Sequence, residues 1–227
     1  MTDLFVVYGS ETKLLNNIFL KKNVFFIRIY NKSKPSPLKN AVDVNNFKDF
    51  KIEFKNIFKK KNIKNIIFIG AATIIQNSLL VSESSDSLNL MLNTNINNYV
   101  NFTHFLLPFM IKIRSGNFIF LSSFRSIATT KGASIYSASK AFGETFFQII
   151  GKEYGALGIF SNTIRLGCFD GRGFHFLADD KKKDLIKTIG NRKLGTSEDL
   201  LKAIDFVLDC KYSNGGILDL TAGMSYN

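Results

Sequence analysis

Residues 4–9 read LFVVYG, a run of five apolar side chains that ends at a glycine. A short apolar run of this kind is typical of a strand that is buried on both faces of a parallel sheet. Residues 11–22 then place leucine, isoleucine and phenylalanine at helical spacing, and VFFIRIY at residues 24–30 is a second apolar run. This order predicts a parallel strand–helix–strand unit at the start of the chain.

The same alternation continues to the end of the chain. Further strand patterns lie at residues 41–44, 66–72, 117–123, 161–167 and 216–221, and further helical patterns lie at residues 47–60, 95–114, 135–157 and 197–209. The sequence shows no repeat and no linker long enough to divide it. We therefore predict an α/β fold with a Rossmann-type, doubly wound, mostly parallel sheet, with helices on both faces, in a single domain over residues 1–227.

The amino-acid composition of the chain limits the kinds of binding partner that we expect. The chain has 227 residues, a formal net charge of +12 and a pI near 9.6. Its lysines occur with many Asn, Ile and Phe residues, a mixture that AT-rich codons produce without selection for binding, so we predict no nucleic-acid partner. The two cysteines, Cys168 and Cys210, stand far apart, which predicts neither a disulfide framework nor a metal site.

No segment of the sequence reads as a membrane or export signal. The stretch MTDLFVVYGS lacks the basic segment and long apolar run of a signal peptide. The most apolar stretch, at residues 66–75, is too short to span a bilayer. We therefore expect a cytoplasmic protein with no membrane insertion.

A tyrosine and a lysine four residues apart suggest proton-transfer chemistry. Residues 136–140 read YSASK, and residues 30–34, YNKSK, have the same spacing. Tyr30 ends a strand pattern and Lys34 precedes a proline, so that pair is not expected on a helix. Tyr136 opens a helical pattern, where both side chains of the pair share one face. Ser123, thirteen residues earlier, ends a predicted strand at the edge where such sheets bind ligands.

With these residues the chain resembles the classical short-chain dehydrogenase/reductase family over nearly its whole length. The resemblance is carried by TNI around Asn95, FLSS ending at Ser123, YSASK, IRLG ending at Gly167, KLGTSEDL at residues 193–200 and GGILDLTAGM at residues 215–224. YxxxK alone is a weak signal, whereas the joint spacing of the asparagine, serine, tyrosine and lysine is specific.

The resemblance implies an NAD(P)-dependent oxidoreductase that interconverts a ketone and a secondary alcohol by hydride transfer. It makes Tyr136 the acid/base, while Lys140 lowers the pKa of Tyr136 and binds the nicotinamide ribose. It gives Ser123 a hydrogen bond to the substrate oxygen and Asn95 a water in a proton relay. A nearby ammonium group is needed because the pKa of a free tyrosine is about 10.

The glycine-rich turn departs from the family pattern. The family reads TGxxxGxG there, and this chain reads YGSETKLL at residues 8–15, so that only the first glycine is kept. The glycines let the backbone approach the cofactor pyrophosphate, and a leucine in the third glycine position would stand where the helix approaches the cofactor. The residues expected to bind cofactor in this region and after the later strands are Gly9, Ser10, Thr12, Lys13, Gly70, Ala71, Ala72 and Gly167.

The choice between the two nicotinamide cofactors depends on the end of the second strand. A carboxylate there would accept the adenosine ribose hydroxyls and indicate NAD. None stands at residues 30–31, whereas Arg28, Lys32 and Lys34 are near. We therefore predict NADP or NAD, with NADP favoured and Lys32 among its ligands. By resemblance Asp43 contacts the adenine, and its other predicted role, which does not exclude the first, is the N-cap of the helix that follows.

Residues 168–195 are predicted to form a short substrate lid. Phe169, Phe174 and His175 are candidates to line an apolar pocket there, and Arg172 is a candidate to meet an anionic group. A packed loop with no such role is the alternative. The substrate itself is expected to be a small carbonyl or alcohol compound, such as a sugar or an acyl group on a phosphate-bearing carrier.

Two further expectations concern assembly and activity. The helical patterns at residues 95–114 and 135–157 carry more apolar residues than one stripe can bury, which predicts a homodimer or homotetramer. A monomer in which the lid and the C-terminal segment cover these residues is the alternative. The altered glycine turn also leaves a second function open, namely a catalytically idle protein that keeps the fold and serves as a binding or partner subunit.

Overall fold

A seven-stranded sheet organises the molecule. The computed structural model describes residues 2–31, 35–128, 131–175 and 177–224, with only the backbone of residues 172–173. Every strand pairing in this part of the chain is parallel, in the order β3-β2-β1-β4-β5-β6-β7. The strands are β1 (Thr2–Tyr8), β2 (Val24–Ile29), β3 (Ala41–Val44), β4 (Ile63–Gly70), β5 (Gly116–Ser123), β6 (Ile159–Leu166) and β7 (Ile217–Leu220).

Helices cover both faces of the sheet. The α-helices are α1 (Phe47–Lys60), α2 (Ser85–Leu92), α3 (Asn98–Ile113), α4 (Ser134–Tyr154), α5 (Arg172–His175), α6 (Asp179–Thr188) and α7 (Ser197–Asp209). Short 3₁₀ helices are Lys13–Leu20, Leu80–Ser82, Phe124–Ser126 and Gly155–Leu157, and a π-helical turn spans Asn93–Asn97. The predicted α/β, doubly wound architecture is confirmed, and the sheet is parallel throughout the described residues.

Side-chain alternation along the strands divides the core into two layers. In β1, Leu4 and Val6 contribute to a layer with α1, α3 and α4, whereas Phe5 and Val7 contribute to a layer with the first 3₁₀ helix and α7. Successive strand residues point to opposite faces, so one continuous apolar run supplies both layers. This is why LFVVY reads as apolar without interruption.

Several element boundaries differ from the sequence prediction. The predicted helix over residues 11–22 is a 3₁₀ helix of 8 residues, Lys13–Leu20, which is long for that geometry. The helix predicted over residues 95–114 begins as α2 at Ser85 and passes through the π-helical turn before α3. Within the predicted lid, α6 was not anticipated, because its lysine-rich sequence buries no residue and lacks a clear apolar stripe.

Phenylalanines of α1 and α3 cover much of the apolar surface that suggested an oligomer. Phe54 of α1 lies 4.9 Å from Phe109 and 5.5 Å from Phe105 between ring centroids, both on α3. On α4, in contrast, Phe142 and Ile149 remain 38% and 47% exposed. None of the helices within the described ranges is long and apolar enough to cross a membrane.

The order of the strands reverses between β1 and β4. Chain connections leave to opposite sides at this point, which opens a crevice at the carboxyl ends of the two strands. Gly9, directly after β1, has φ of +88°, and a Cβ at this position would lie 2.3 Å from the backbone nitrogen of Ala72 after β4. Only glycine allows this close approach of the two turns.

Candidate active site

Tyr136 and Lys140 lie one turn apart on the first part of α4. Both are nearly buried, at 6% and 3% exposure. The Lys140 Nζ atom lies 5.9 Å from the centroid of the Tyr136 ring and donates a 2.8 Å hydrogen bond to the backbone carbonyl of Leu121 in β5. The predicted helical placement of this pair is therefore observed. The ammonium is held against β5 and beside the phenol.

Ser123 ends β5 opposite the Tyr136 phenol. Its hydroxyl is close enough to that phenol to lower the pKa of the phenol, and it accepts a 3.2 Å hydrogen bond from the backbone N–H of Arg125. Burial raises the pKa of the Tyr136 phenol above its ordinary value, whereas the Ser123 hydroxyl and the Arg125 guanidinium lower it. The structure thus brings Ser123, Tyr136 and Lys140 together at one strand end.

The charge state of Lys140 is set mainly by burial. Burial lowers the pKa of its ammonium from 10.5 to about 7, and the negative charge of Glu144 acts in the opposite direction. A buried lysine with such a pKa gains or loses its proton easily near neutral pH. The role that the resemblance gives Lys140, lowering the pKa of Tyr136, stays a prediction.

Glu144 anchors a buried polar network that sequence reasoning missed. Arg165 in β6 donates to its two carboxylate oxygens at 3.0 and 2.9 Å. The hydroxyls of Ser122 and Ser126, which flank the Ser123 turn, donate to it at 2.6 and 2.5 Å. Burial acts to raise the pKa of Glu144, but these hydrogen bonds outweigh it and lower the pKa. The available signal was Glu144 four residues after Lys140, hence on the same helix face.

Asn95 lies in the π-helical turn between α2 and α3. Its side chain accepts from the backbone N–H of Ile74 at 2.8 Å and donates to the carbonyl of Ile74 at 2.9 Å. It also donates to the Ser139 hydroxyl on α4 at 3.3 Å. Turns of this type occur often at functional sites. Asn95 therefore fixes the segment after β4 against α4, and the predicted water relay stays a prediction.

The crevice between β1 and β4 retains polar atoms without partners. The Ser10 hydroxyl and the Thr73 hydroxyl are both buried, and neither has a hydrogen-bond partner among the described residues. Buried hydroxyls normally have a partner, so these two are suited to the polar groups of a bound molecule. Ala71 and Ala72 donate backbone bonds of 2.8 and 2.9 Å to the carbonyl of Tyr8, which keeps the two turns in contact.

Lys13 and Leu15, which stand in the second and third glycine positions of the family pattern, differ in burial. Leu15 is only 1% exposed and belongs to the core layer that contains Val7 and Ile204, whereas Lys13 is exposed. Thr12, half-buried, is the N-cap of the 3₁₀ helix, and its backbone N–H bonds to the carbonyl of Gly9 at 3.3 Å. The leucine therefore packs into the protein interior, so its side chain does not fill the crevice.

The end of β2 differs from the predicted arrangement. Arg28 donates to both carboxylate oxygens of Asp43, at 2.7 and 3.0 Å, and is only 2% exposed. The alternative role of Asp43 as a helix N-cap is wrong, because Asn46 caps α1 through the backbone N–H of Asp49. Arg28 is thus already paired, whereas Lys32 and Lys34 lie outside the described residues.

A carboxylate does reach the end of β2, although from another element. Glu11, in the altered turn, accepts a 3.2 Å bond from the backbone N–H of Asn31 through one oxygen. Its second oxygen is buried without a partner in the described part of the chain. An acceptor at this point is suited to a sugar hydroxyl. The sequence prediction looked for the carboxylate on β2 itself and so missed it.

The residues predicted for the lid make contacts with different parts of the structure. Phe169 forms an isolated bridge with Gly195 and packs against the second core layer. His175 is exposed and its Nε2 atom lies 2.8 Å from Asp170, and its ring centroid is 6.1 Å from that of Phe174. The side chain of Arg172 lies outside the described structure. An apolar pocket lined by these residues stays a prediction.

Two of the remaining predicted residues make close packing contacts. A Cβ at Gly70 would lie 2.4 Å from the Tyr99 ring on α3, and one at Gly167 would lie 2.9 Å from the backbone of Thr221 after β7. Both glycines therefore allow neighbouring elements to approach the carboxyl edge of the sheet.

Comparison with known proteins places these features in context. A family model described as short chain dehydrogenase matches residues 34–182. A 3-oxoacyl-(acyl-carrier-protein) reductase FabG of Chlamydia trachomatis serovar D is 28% identical over 186 residues, which cover 81% of this chain and 75% of that protein.

Solved structures resemble the whole chain in fold. The aldohexose dehydrogenase of Thermoplasma acidophilum, in ligand-free form, has a TM-score of 0.84 at 18% identity and covers 98% of this chain and 93% of its own. ElxO with NADP bound has a TM-score of 0.81 at 19% identity, with 98% of both chains covered. At these identities the likeness concerns the fold alone.

Proposed function

The chain belongs to the short-chain dehydrogenase family, whose model matches residues 34–182, and from this premise we propose that it is an NAD(P)-dependent oxidoreductase interconverting a ketone and a secondary alcohol. The observation that carries the proposal is the joint placement of Ser123, Tyr136 and Lys140 at the carboxyl end of β5. Single residues of these types are common on protein surfaces. A buried phenol beside a lysine and a serine is suited to proton transfer.

The reaction divides between the cofactor and these side chains. When bound, the nicotinamide supplies the hydride for the carbonyl carbon. Tyr136 donates its phenolic proton to the carbonyl oxygen, and the reverse reaction returns it. Ser123 donates a hydrogen bond to the same oxygen, which orients the substrate and stabilises the negative charge that develops there. Lys140, when protonated, stabilises the phenolate that proton donation leaves behind.

The crevice between β1 and β4 has the features needed for the cofactor. The Ser10 and Thr73 hydroxyls lack partners among the described residues, and the close contact of Gly9 with Ala72 keeps the backbone near the bound dinucleotide. Thr12, Lys13, Gly70, Ala71 and Gly167 complete the proposed binding surface, and Asp43 is proposed to lie near the adenine. Since Leu15 packs into the core, the altered turn is compatible with cofactor binding.

For the cofactor we retain the preference for NADP(H) over NAD(H), on a narrower basis. Arg28 no longer supports it because Asp43 holds the guanidinium. Lys32 and Lys34 remain as partners for a 2′-phosphate, whereas Glu11 at the end of β2 would repel one and favour a free ribose hydroxyl. The Glu11→Gln variant is therefore expected to bind NADPH more tightly relative to NADH.

The substrate is proposed to be a small carbonyl or alcohol compound. The names of the relatives favour the two classes predicted from the sequence, because one acts on an acyl group carried by a protein and another on an aldohexose. The lid residues Phe169, Arg172, Phe174 and His175 are proposed to contribute to its binding. A cytoplasmic location and a single domain with this lid at residues 168–195 belong to the same proposal.

A homo-oligomer built on α4 is also proposed. The Phe142 and Phe146 rings stack at 5.6 Å, and with Ile149 they form a stripe of which Phe142 and Ile149 are more than a third exposed. A second copy of this helix related by a two-fold axis would cover the stripe. Light scattering is expected to give a dimer or tetramer mass that Phe146→Glu reduces to the monomer. A monomer mass for the unchanged protein at micromolar concentration would contradict this.

Replacement of the proposed acid/base tests the function directly. Tyr136→Phe keeps the ring but removes the proton donor, so kcat for NADPH-dependent ketone reduction is expected to fall by about 10²–10⁴-fold with nearly unchanged cofactor affinity. Tyr30→Phe is the matched control, since Tyr30 has the same sequence spacing to a lysine but directly follows β2, and the kcat of this variant is expected to be unchanged. Most of the activity surviving in Tyr136→Phe would exclude the assignment.

A further inference from the structure

A cavity of about 460 Å³ opens between the turn that follows β5 and the first turns of α4. Its polar lining comes from Arg125, Ser126, Lys131, Ser134 and Ser137, and its remaining lining is isoleucine and alanine. None of the ten described residues that line it is acidic. The cavity is therefore positive, with room for a small anionic group.

Arg125 belongs both to this cavity and to the surroundings of the catalytic phenol. It stands two residues after Ser123, and its backbone N–H donates to the Ser123 hydroxyl at 3.2 Å. Its guanidinium is close enough to lower the pKa values of the Tyr136 phenol and the Cys168 thiol, against burial, which raises both. The charge of Arg125 thus acts between α4 and the segment after β6, where a substrate has to lie to reach Tyr136.

The positive groups of the cavity have no acidic partner in the described ranges. Arg125 and Lys131 form no ion pair there, and the side chain of Arg125 makes one hydrogen bond, a long one of 3.3 Å to Asn77. Glu144, behind Ser126, is the nearest carboxylate in the hydrogen-bond network, and Arg165 already pairs with it. A guanidinium that is not needed for internal pairing is available for a ligand.

A hydroxyl of the cavity also lacks a partner. The Ser137 Oγ atom is buried and has no hydrogen-bond partner among the described residues. It stands in the first turn of α4, one residue after Tyr136. A buried hydroxyl without a partner is expected to bond to a bound group. Together with the two cations it provides a donor set suited to a carboxylate or a phosphate.

We propose that this cavity binds an anionic group of the substrate through Arg125 and Lys131, so that the physiological substrate is a ketone or alcohol bearing a carboxylate or phosphate. The inference rests on the proposed function and adds the substrate class to it. Arg125 is the specificity-determining residue, since it lines the cavity and its charge also acts on the Tyr136 phenol. Lys131 contributes a second charge without such a link to the reacting oxygen.

The test compares pairs of ketones that differ in the presence of one anionic group. Acetoacetate is paired with its methyl ester, and dihydroxyacetone phosphate with dihydroxyacetone, and kcat/KM is measured for each with NADPH. The unchanged enzyme is expected to prefer the anionic member of one pair by about tenfold or more, since a charged hydrogen-bonded contact contributes at least this much. The preferred pair identifies the anion as carboxylate or phosphate.

Variants attribute the preference to the cavity. Arg125→Gln is expected to reduce the ratio of kcat/KM between charged and neutral ketone by about tenfold, Lys131→Gln by less, and Arg125→Lys to restore part of it. Because the ratio is used, any general effect of Arg125 on Tyr136 cancels. Lys152→Gln removes one charge from the exposed far end of α4 and is expected to leave the ratio unchanged. An unchanged ratio in Arg125→Gln, or no preference for either anion, overturns the proposal.

The experiment separates this proposal from the proposed function. If neutral ketones are reduced with dependence on Tyr136 but the anion gives no preference, the oxidoreductase assignment stands and the anion site fails. If none of the four ketones is reduced, calorimetric binding of inorganic phosphate and of acetate replaces the kinetics. Weaker binding of either in Arg125→Gln supports the site, and equal binding by the two proteins overturns it.

Discussion

Two regions of the chain meet at the crevice between β1 and β4, and they differ in how many of the expected family residues they keep. Residues 116–166, from β5 to β6, lie inside the stretch matched by the family model, whereas residues 2–31, with the first turn, lie outside it. The first of these regions keeps the residue types expected for catalysis. The second keeps the first glycine of the turn but replaces the other two expected glycines.

The difference follows from what each region has to supply. In the proposed mechanism, proton transfer uses a phenol, a hydroxyl and an ammonium at fixed places, which Tyr136, Ser123 and Lys140 supply. A cofactor turn needs mainly backbone N–H groups and space. Gly9 provides the close contact with Ala72, and the position of Leu15 can then be used for packing. The region from β5 to β6 therefore keeps particular residue types, whereas the turn after β1 keeps the close approach of Gly9 to Ala72.

The two regions also differ in the energetic cost of the side chains that they bury. The region from β5 to β6 buries Lys140 and the charged pair of Glu144 and Arg165, all of which are costly to remove from water. The altered turn instead adds the apolar side chain of Leu15 to a core layer. Removing the buried charge of Lys140 is therefore expected to raise stability, whereas removing the Leu15 side chain is expected to lower it.

The largest effect is expected from Lys140→Met. Lys140 is protonated up to pH 10.5 when unfolded but only up to about pH 7 when folded, so the unfolded chain binds more protons between these values and stability rises with pH there. The shift corresponds to about 5 kcal/mol. The variant should therefore be more stable than the unchanged protein, by most at pH 7 and below, with the difference shrinking toward pH 10.

Thermal unfolding from pH 6 to pH 9.5 measures this difference. The control is Lys152→Met, which removes an exposed lysine from the same helix and is expected to show no such pH dependence. A Lys140→Met variant that is less stable than the unchanged protein at pH 6 would contradict this energetic difference between the two regions.

The next effect is expected from restoring a family glycine. Leu15→Gly removes a side chain that is 1% exposed, and about 3–5 kcal/mol of unfolding free energy should be lost in urea denaturation. NADPH affinity is not expected to rise, because the leucine side chain lies in the core. Leu20→Gly, at the 75% exposed end of the same 3₁₀ helix, should cost about 1 kcal/mol or less. Tighter NADPH binding in Leu15→Gly would show that the leucine obstructs the crevice.

The smallest effect is expected from Glu144→Gln. The amide keeps the shape but loses the charge that Arg165, Ser122 and Ser126 bind, so stability should fall by about 1–3 kcal/mol. A lower kcat is expected as well, because Ser122 and Ser126 fix the turn that holds Ser123. Glu153→Gln on the exposed side of α4 is the control for both measurements. Unchanged stability and kcat would mean that the network does not support the site.

Periodicity in the sequence was sufficient for most of the fold. The strands are apolar on both faces, and α7 has a regular apolar stripe, so its predicted bounds agree with Ser197–Asp209. The local spacing of Tyr136, Lys140 and Ser123 was also sufficient to predict that these residues lie close together. In these cases the information lies in neighbouring residues of one element or of two adjacent ones.

The features that were missed depend on contacts between distant residues. Arg28 looked available for a phosphate because its pairing with Asp43 becomes visible only when β2 and β3 lie side by side. Glu144 and Arg165 are 21 residues apart on different elements, and Glu11 reaches the end of β2 from the turn after β1. The π-helical turn at Asn95 likewise has no sequence period of its own.

The most direct test of the account is whether the purified protein binds a nicotinamide cofactor through the altered turn. Nicotinamide fluorescence is titrated with the protein, first with NADPH and then with NADH. The account predicts saturable binding at submillimolar concentration, tighter for NADPH than for NADH. No binding of either cofactor at millimolar concentration would contradict the account and favour a catalytically idle binding protein of the same fold.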